Sequence, residues 1–573
     1  MAFNELLKEC GDFGFYQKVV NFGFLILVML IVACAYWAQI FMLIIPPHRC
    51  KLSPLDNEWL IGNDSSFLAN GSKCFLYVSN SSNETHTGCE YGMVYDFSEN
   101  FPTFASQNDW VCEDSWRMYL VHTCYFCGGL ASAVSFGIIS DKYGRKRAVL
   151  LAFLIGLTSD ICTFFCTSQL SFIAARFGSG LGYGNIVVTS FVLAIEYTGP
   201  KWRSTSLFTI GFSYAIFAAL FPWLAYVLYD WKYILMVTWI PTIGAFGFYF
   251  FLSESASWLI SIGRVDDAVN SVERIARING KTLSKKYIKA KLLEKESTEQ
   301  SKYDGSLKRF DSLSNGKETT DTLEEISFLE ALTVILKSPS FRKKMFSFMV
   351  IWMTVAACYN GINLQSSNLP FSLYITFSLG ALIEVPGNVF CILTIDRFGR
   401  RWTNAGVLVS GGILGIATMT TSSATLIMIF ALIMRCCYST AFDITFTFVS
   451  ESFPTVIRGR ALAVIRALGF TGSLLAPFIV QLSEKEVLLP LLIFGIMSFT
   501  AGILTLFLPE TANQHLPNTL EEGENFGKDQ PFWFCPNKKK SRNKDLFTNL
   551  QPSLETGKEK SVSCPASNNQ EKF

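Results

Sequence analysis

Twelve apolar segments of membrane-spanning length run through this sequence, and they restrict its fold more than any other feature. An α-helix needs about 20 apolar residues to cross the roughly 30 Å hydrocarbon core of a bilayer. Only 16% of the 573 residues are charged, whereas soluble domains average about 25%. We therefore predict an all-α membrane protein. Its spans are predicted at 19–45, 117–140, 147–168, 171–197, 205–229, 232–252, 345–364, 371–395, 403–424, 426–450, 461–483 and 488–508.

Polar segments divide these spans into two groups of six. The predicted parts are an N-terminus at 1–18, a first half at 19–252, a linker at 253–344, a second half at 345–508 and a tail at 509–573. Basic residues follow the second and eighth spans, and Lys and Arg are enriched in cytoplasmic loops. We therefore predict a multi-pass plasma-membrane protein with both termini, the linker and the tail in the cytoplasm. The linker is expected to be helical near 264–298 and 322–338 and disordered near 299–321.

The loop at 46–116 is the long segment predicted on the extracellular side. It contains an even number of cysteines together with clustered N-x-S/T sequons, and both features fit an oxidising, glycosylating compartment. The four cysteines allow three pairings, and the sequence does not choose among them. The candidate disulfide residues are Cys50, Cys74, Cys89 and Cys112, and the candidate glycosylation sites are Asn63, Asn70, Asn80 and Asn83.

The two halves repeat the same charged motif at one offset. DKYGRKR begins at residue 141 and DRFGRR at residue 396, a separation of 255, and a Glu and an Arg further along each half repeat at that offset. A duplicated six-helix unit with both motifs on one side of the membrane is the major facilitator architecture. The motif residues are Asp141, Gly144, Arg145, Glu196 and Arg203 in the first copy, and Asp396, Gly399, Arg400, Glu451 and Arg458 in the second.

The chemistry of this motif favours a gate. The glycines permit a tight turn between helices. The acidic residues at helix ends can bond to basic residues of the loop or of the next helix, and Glu196 with Arg203, like Glu451 with Arg458, offers further charged partners. Such pairs can hold the cytoplasmic side closed in one state and break in the other.

Asp443 stands alone in the middle of an apolar span. It lies eight residues after Arg435 and eight before Glu451, which is roughly 12 Å from each along a helix. An ionised carboxylate near the bilayer midplane costs at least about 2.5 kcal/mol unless it meets water, a partner or a ligand. We therefore predict a functional site there. The alternative is a permanent structural pair with Arg176, Arg435 or Arg466.

Several segments resemble the organic cation, organic anion and carnitine transporters of the major facilitator superfamily, known as solute carrier family 22. The resemblance covers nearly the whole chain apart from the middle of the linker and the tail. It is carried by the four-cysteine loop and by YDWKY at 229–233, SESASWLISIGR at 253–264, IEVPG at 383–387, VSESFPTVIRGR at 449–460 and LPETANQHLPNTLEE at 508–522.

The resemblance implies positions for a substrate site. Trp352 and Tyr359 match cavity-lining aromatic residues of the seventh helix, and Glu384 matches the acidic residue of the I-E-V-P motif. Where cation transporters of the family often have Asp and the anion and carnitine carriers have Arg, this chain has Phe470. Arg466, one turn earlier, could replace that arginine or could neutralise the carboxylate of the tenth helix.

Three functions follow as hypotheses. The first is a carrier of small organic cations or carnitine-like zwitterions, in which Asp443 and Glu384 meet the ammonium group and Trp352, Tyr359 and Phe446 offer aromatic faces. The second is an organic anion exchanger that uses arginines of the tenth and eleventh helices. The third is a transport-inactive, receptor-like member of the family.

The sequence indicates no catalysis. It lacks a complete nucleotide-binding G-x-x-x-x-G-K-[ST] motif, and its four histidines are too scattered for a metal site. We expect no enzyme activity, no cofactor, no metal and no nucleic-acid partner. Sodium or a proton is the candidate coupling ion. The expected partners are a small organic ion and the lipid bilayer, and the expected functional unit is a monomer.

Overall fold

The computed structural model describes most of both predicted halves. It covers residues 2–51, 71–199, 202–292, 333–512, 514 and 517–531, except positions 73, 81, 82, 88, 90, 99, 334, 370, 518 and 529. The predicted disordered segment near 299–321, most of the tail, and the sequons at Asn63 and Asn70 lie outside the described residues.

Within the described residues, eleven helices are long and apolar enough to span a membrane, and a twelfth apolar helix of 17 residues follows them. They are α1 (Phe15–Phe41), α2 (Cys112–Tyr143), α3 (Arg145–Phe165), α4 (Gln169–Tyr197), α5 (Thr205–Leu228), α6 (Trp231–Phe251), α7 (Pro339–Asn368), α8 (Leu373–Phe398), α9 (Arg400–Thr420), α10 (Ala424–Ser452), α11 (Ile457–Glu484) and α12 (Leu489–Thr505). The predicted all-α membrane fold is confirmed.

The start of α7 differs from the prediction. The helix begins at Pro339, six residues before the predicted start at 345, because Lys344 does not face water. Its ammonium group donates to the carbonyl oxygens of Gly523 and Phe526 at 3.0 and 2.9 Å. The predicted span begins after Lys344 because of its charge, but the segment that follows α12 covers this side chain.

Glycines set the closest helix contacts in each half. A Cβ at Gly180 in α4 would overlap the carbonyl oxygen of Tyr125 in α2. In the second half, a Cβ at Gly412 in α9 would overlap Phe499 in α12. Small residues let membrane helices approach each other closely, and van der Waals packing then drives their association.

The described part of the long loop contains five short antiparallel strands. They are β1 (His48–Cys50), β2 (Gly71–Ser72), β3 (Phe75–Asn80), β4 (Asn83–Thr87) and β5 (Met93–Tyr95). β1 pairs with β5, and β3 pairs with β2 and β4. The backbones of sequon residues Asn80 and Asn83 face each other at the β3–β4 turn.

Two disulfides close this loop. Cys50 bonds to Cys89 and Cys74 bonds to Cys112, with Cα–Cα distances of 5.1 and 5.7 Å. The structure thus selects one of the three pairings that the sequence left open. A hydrogen bond joins the loop to the membrane helices: the indole nitrogen of Trp231, at the start of α6, donates to the side-chain oxygen of Gln107 at 3.0 Å.

The N-terminal segment docks on the linker at the other end of the first half. Asn279, just after the linker helix Val265–Ile278, accepts a hydrogen bond from the backbone nitrogen of Tyr16 at 2.9 Å. Its amide nitrogen donates to the Cys10 carbonyl and to Gln17, both at 2.9 Å. One half-buried amide therefore joins three points of the chain that precedes and begins α1. A further described linker segment, 285–292, is also helical.

The two halves touch at one end and separate at the other. We call the end that carries the disulfide loop the loop side, and the end that carries the repeated D-x-x-G-R sequence the motif side. Between the halves, α5 contacts the first segment of α8 (Leu373–Leu382) far more than the second, and α2 contacts the second segment of α11 (Thr471–Gln481) far more than the first. Toward the motif side, a Cβ at Gly137 of α2 or Gly459 of α11 would meet no atom within 4 Å. The space between the halves therefore opens toward the motif side.

Candidate functional site

A buried ion pair joins α8 to α10 at the centre of the second half. Pro386 lacks an N–H group and its ring collides with the carbonyl of Leu382, which explains why α8 is interrupted at Ile383. Glu384 begins the next segment, and its Oε1 accepts from Nη2 and Nε of Arg435 at 2.9 and 3.0 Å. The two side chains are 6% and 1% exposed. The sequence hypotheses used these residues separately, but here they form one neutral unit.

Polar atoms without partners surround this pair. The hydroxyl of Tyr359 donates to Glu384 at 3.3 Å, and the Arg435 guanidinium lies 5.4 Å from the ring centre of Trp37 in α1. Within the described parts of the chain, Arg435 Nη1 and Trp37 Nε1 are buried and make no hydrogen bond. Because buried polar groups are nearly always satisfied, these donors are candidates for contact with water or substrate.

Four aromatic rings form a cluster beside the pair. Trp352 of α7 lies 5.2 Å from Phe442 and 6.3 Å from Phe446, measured between ring centroids. Tyr359, two turns along α7, lies 6.2 Å from Phe442. We call Trp352, Tyr359, Phe442 and Phe446 the aromatic cluster. The sequence reasoning missed Phe442, although it lies four residues before Phe446 and adjoins the predicted carboxylate.

Asp443 has no charged partner. Its side chain is exposed, and neither an ion pair nor a hydrogen bond to its carboxylate is found among the described residues. The three arginines considered as structural partners lie elsewhere. Arg176 pairs with Asp160 at 2.6 Å, and Arg435 belongs to the pair described above. Arg466 lies 5.8 Å from the centre of an aromatic ring of the cluster.

Helix geometry places Asp443 beside the part of the aromatic cluster that α10 contributes. It lies about 80° around α10 from Arg435, next to the stripe that includes Phe446. The adjoining side of α10 faces α8, because a Cβ at Gly387 would lie 2.9 Å from Thr440 Oγ1. Phe446 is itself 40% exposed. The carboxylate and this ring are therefore exposed on neighbouring parts of the α10 surface.

The two residues of α11 that the sequence predicted in the substrate site, Arg466 and Phe470, lie in different places. The guanidinium of Arg466 lies over Phe446 and has no ion pair with Asp443. The ring of Phe470 faces the first half, where a Cβ at Gly129 of α2 would lie 3.3 Å from it. Phe470 thus contributes to the contact between halves, and Arg466 lies nearer the aromatic cluster.

A polar link between α1 and α7 was not foreseen from the sequence. The hydroxyl of Tyr36 donates to Asn360 at 3.1 Å and accepts from Asn363 at 3.4 Å. Neither asparagine belongs to a motif, so only their position in an apolar span could have signalled them. This link connects the first half to the helix that carries Trp352 and Tyr359.

The first copy of the repeated motif forms an ion-pair network on the motif side. Arg145 contacts both Asp141 and Glu196 at 3.5 Å. Arg203, which the sequence offered as the partner of Glu196, is exposed two residues before α5. The partner in the structure is therefore the arginine of the motif itself.

The second copy repeats this arrangement. Arg400 contacts Asp396 and Glu451, each at 3.0 Å. Arg458, expected beside Glu451, instead donates from Nε to the carbonyl of Phe453 at 3.2 Å. Arg458 is the second residue of α11 and lies close to the chain that precedes this helix. Glu451 therefore pairs with the motif arginine instead.

Two glutamates outside the predicted motif complete the networks. Glu254 accepts a hydrogen bond from the backbone nitrogen of Lys146 at 3.1 Å. Glu510 accepts from the backbone nitrogens of Arg400 and Arg401 at 2.9 and 3.1 Å. Each carboxylate thus satisfies free N–H groups at the positive end of a helix dipole. Their separation of 256 residues matches the repeat to within one position and could have identified them.

The motif glycines are required for these contacts. Gly144 and Gly399 have φ angles of +104° and +92°, which side chains with a Cβ rarely adopt. A Cβ on either would also overlap the nearby carboxylate, that of Glu254 or Glu510.

Comparison with known families decides the class of this protein. Residues 65–521 match the family described as sugar (and other) transporter. The chain belongs to that family. It is therefore a transporter of the major facilitator superfamily and not an enzyme.

Individual relatives confirm the resemblance to solute carrier family 22. The chain is 28% identical to organic cation transporter 1 of Caenorhabditis elegans over 541 residues, which cover 92% of this chain and 89% of the relative. It is 25% identical to solute carrier family 22 member 6-A of Xenopus laevis, covering 91% and 94%. The inward open structure of the xylose transporter XylE from E. coli superposes with a TM-score of 0.55 at 16% identity, covering 87% and 98%. That likeness supports the fold alone.

Proposed function

We propose that this transporter carries small organic cations or carnitine-like zwitterions by alternating access. The observation that carries the proposal is the Asp443 carboxylate, exposed within a membrane helix, without a partner among the described residues, and adjacent to the aromatic cluster. The named similarity to an organic cation transporter supports the same class of substrate.

The charges of the site favour an ammonium group. The Glu384–Arg435 pair is electrically neutral, so Asp443 supplies the negative charge that a cation would meet. A cation over an aromatic ring gains about 0.5–2 kcal/mol, with the larger values for desolvated sites. A ligand between this carboxylate and Phe446 would have both contacts.

Arg466 extends the proposal to zwitterions and supports a second candidate. It has no ion-pair partner among the described residues and lies over Phe446, so opposite charges flank one ring. A carnitine-like substrate could place its ammonium group toward Asp443 and its carboxylate toward Arg466. If Arg466 is the dominant contact, the substrate is an organic anion.

Uptake assays in oocytes test the proposal. We expect saturable uptake of a quaternary ammonium compound, weakened in Asp443→Asn and retained in Asp443→Glu. A charge-assisted contact contributes about 1.5–3 kcal/mol, which is about a 10- to 150-fold loss of apparent affinity. Surface biotinylation controls for delivery to the plasma membrane.

Other outcomes identify the alternatives. Unchanged cation uptake in Asp443→Asn would refute the assigned role of this carboxylate. Uptake of aromatic carboxylates that is lost in Arg466→Gln would support the anion exchanger. Absence of uptake with normal surface delivery would support a receptor-like protein. Repeating the assay without sodium and at different external pH identifies the coupling ion.

A further inference from the structure

A basic cavity lies on the motif side of the first half, away from the central site. Its volume is about 350 Å³, within the roughly 300–1,000 Å³ typical of small-molecule sites. The start of α3, the end of α6 and the linker helix Val265–Ile278 enclose it. Its charged and aromatic lining includes Lys146, Arg147, Tyr249, Glu254, Arg264 and Arg274.

Both acidic groups of the cavity already have hydrogen-bond or ion-pair partners. Asp267 pairs with Arg264 at 2.5 Å. Glu254 accepts hydrogen bonds from two backbone nitrogens, those of Lys146 and Ser255, both at 3.1 Å.

The four basic and two acidic side chains of the lining leave a net charge of +2. Lys146, Arg147 and Arg274 line the cavity and have no ion-pair partner within the part of the chain that the structure describes. Arg274 is held in position because it donates to the carbonyl of Phe250 at 2.6 Å. Such a cluster is suited to a ligand with more than one negative charge.

The cavity is located where a lipid headgroup would lie. Lys146 is the second residue of α3, and its ammonium group lies 4.2 Å from the ring centre of Tyr249, close to the end of α6. The next residue, Phe250, is 77% exposed on this membrane helix. A polar pocket thus adjoins an apolar surface that acyl chains can cover.

The repeat provides an internal comparison. At the offset of 255, Arg147 corresponds to Trp402 and Lys146 to Arg401. Arg401 is buried, with its guanidinium directed to the carbonyl of Leu508 at 3.4 Å. The cationic lining is therefore a feature of the first half that the duplicated motif does not require.

We propose that this cavity binds the polyphosphorylated headgroup of an anionic phospholipid of the phosphoinositide class. Basic pockets at the ends of membrane helices are suited to such headgroups. The net charge of +2 and the three basic side chains without an ion pair attract the headgroup, and the adjoining apolar surface distinguishes a lipid from free phosphate. The site is independent of the transported substrate.

Lipid titration of the purified full-length protein tests this inference. The probe is short-chain phosphatidylinositol bisphosphate, with short-chain phosphatidylserine and inorganic phosphate in parallel arms, and bound lipid is counted by native mass spectrometry. The test variant is Arg147→Gln/Arg274→Gln. The matched control is Lys281→Gln/Lys286→Gln, which removes the same charge from exposed linker positions.

We expect the phosphoinositide to bind in preference to phosphatidylserine and inorganic phosphate. The test variant should weaken its binding on the order of 30-fold, and the control should leave it unchanged. Arg147→Gln alone, at an exposed side chain, should show a partial loss even if the double variant unfolds. Equal weakening by the control, equal occupancy by phosphate, or unchanged binding in both test variants would overturn the proposal.

Discussion

Removing one member of the Glu384–Arg435 pair should destabilise the protein strongly. The Arg435 guanidinium is 1% exposed and pairs only with Glu384 among the described residues, so Glu384→Gln leaves a buried charge without a counter-ion. Loss of one partner from a buried ion pair costs about 3–5 kcal/mol. At roughly 2–4 °C per kcal/mol for a unit of 150–250 residues, the melting temperature should fall by at least about 6 °C.

A double-mutant cycle separates the pair from other effects of these substitutions. Arg435→Met should also be destabilising, since it leaves the carboxylate unpaired. The double variant Glu384→Gln/Arg435→Met should recover much of the loss, because replacing both members of a buried pair is often nearly neutral.

The assay is thermal unfolding of the detergent-purified protein, followed by tryptophan fluorescence. Asp396→Asn is the matched control, since this carboxylate also pairs with an arginine but is 78% exposed, and exposed pairs contribute at most about 1 kcal/mol. Additive losses in the double variant, or an unchanged melting temperature in Glu384→Gln, would refute the reasoning.

Three further predictions concern the motif, the N-terminal segment and the loop. Gly144→Ala should cost about 1–3 kcal/mol because its backbone has a positive φ that only glycine adopts readily, measured as a lower melting temperature, whereas Gly137→Ala, in open space within a helix, should not destabilise. Burial raises the pKa of the Cys10 thiol to about 11, so the reactive thiolate is scarce at pH 8. Alkylation of Cys10 should be slow, should accelerate as the pH approaches 11, and should be faster at pH 8 in Asn279→Ala. Equal alkylation rates at pH 8 in the wild-type protein and in Asn279→Ala would show that the Asn279 side chain does not hold the N-terminal segment in place. Cys112→Ser should release one thiol, and peptide mapping should assign this thiol to Cys74 and not to Cys50 or Cys89.

Much of the architecture could be predicted because a bilayer imposes simple rules on a chain. Each span must be long, apolar and helical, so the twelve segments were readable from hydrophobicity alone. The repeat was equally readable, since motif residues such as Arg145 and Arg400 recur at one offset. The boundary at Lys344 was misplaced because its charge is satisfied by carbonyl groups of a distant segment.

The sequence by itself determined the class of protein, the duplicated halves and one exceptional carboxylate, Asp443, because these depend on composition and local order. Only the tertiary structure decided which charges pair. Glu384 and Arg435 are 51 residues apart and share one hydrogen-bonded unit, whereas Asp443 and Arg466 have no ion pair with each other. The physical reason is that Coulomb interactions depend on distance in space and on burial, and neither quantity can be read from spacing along the chain.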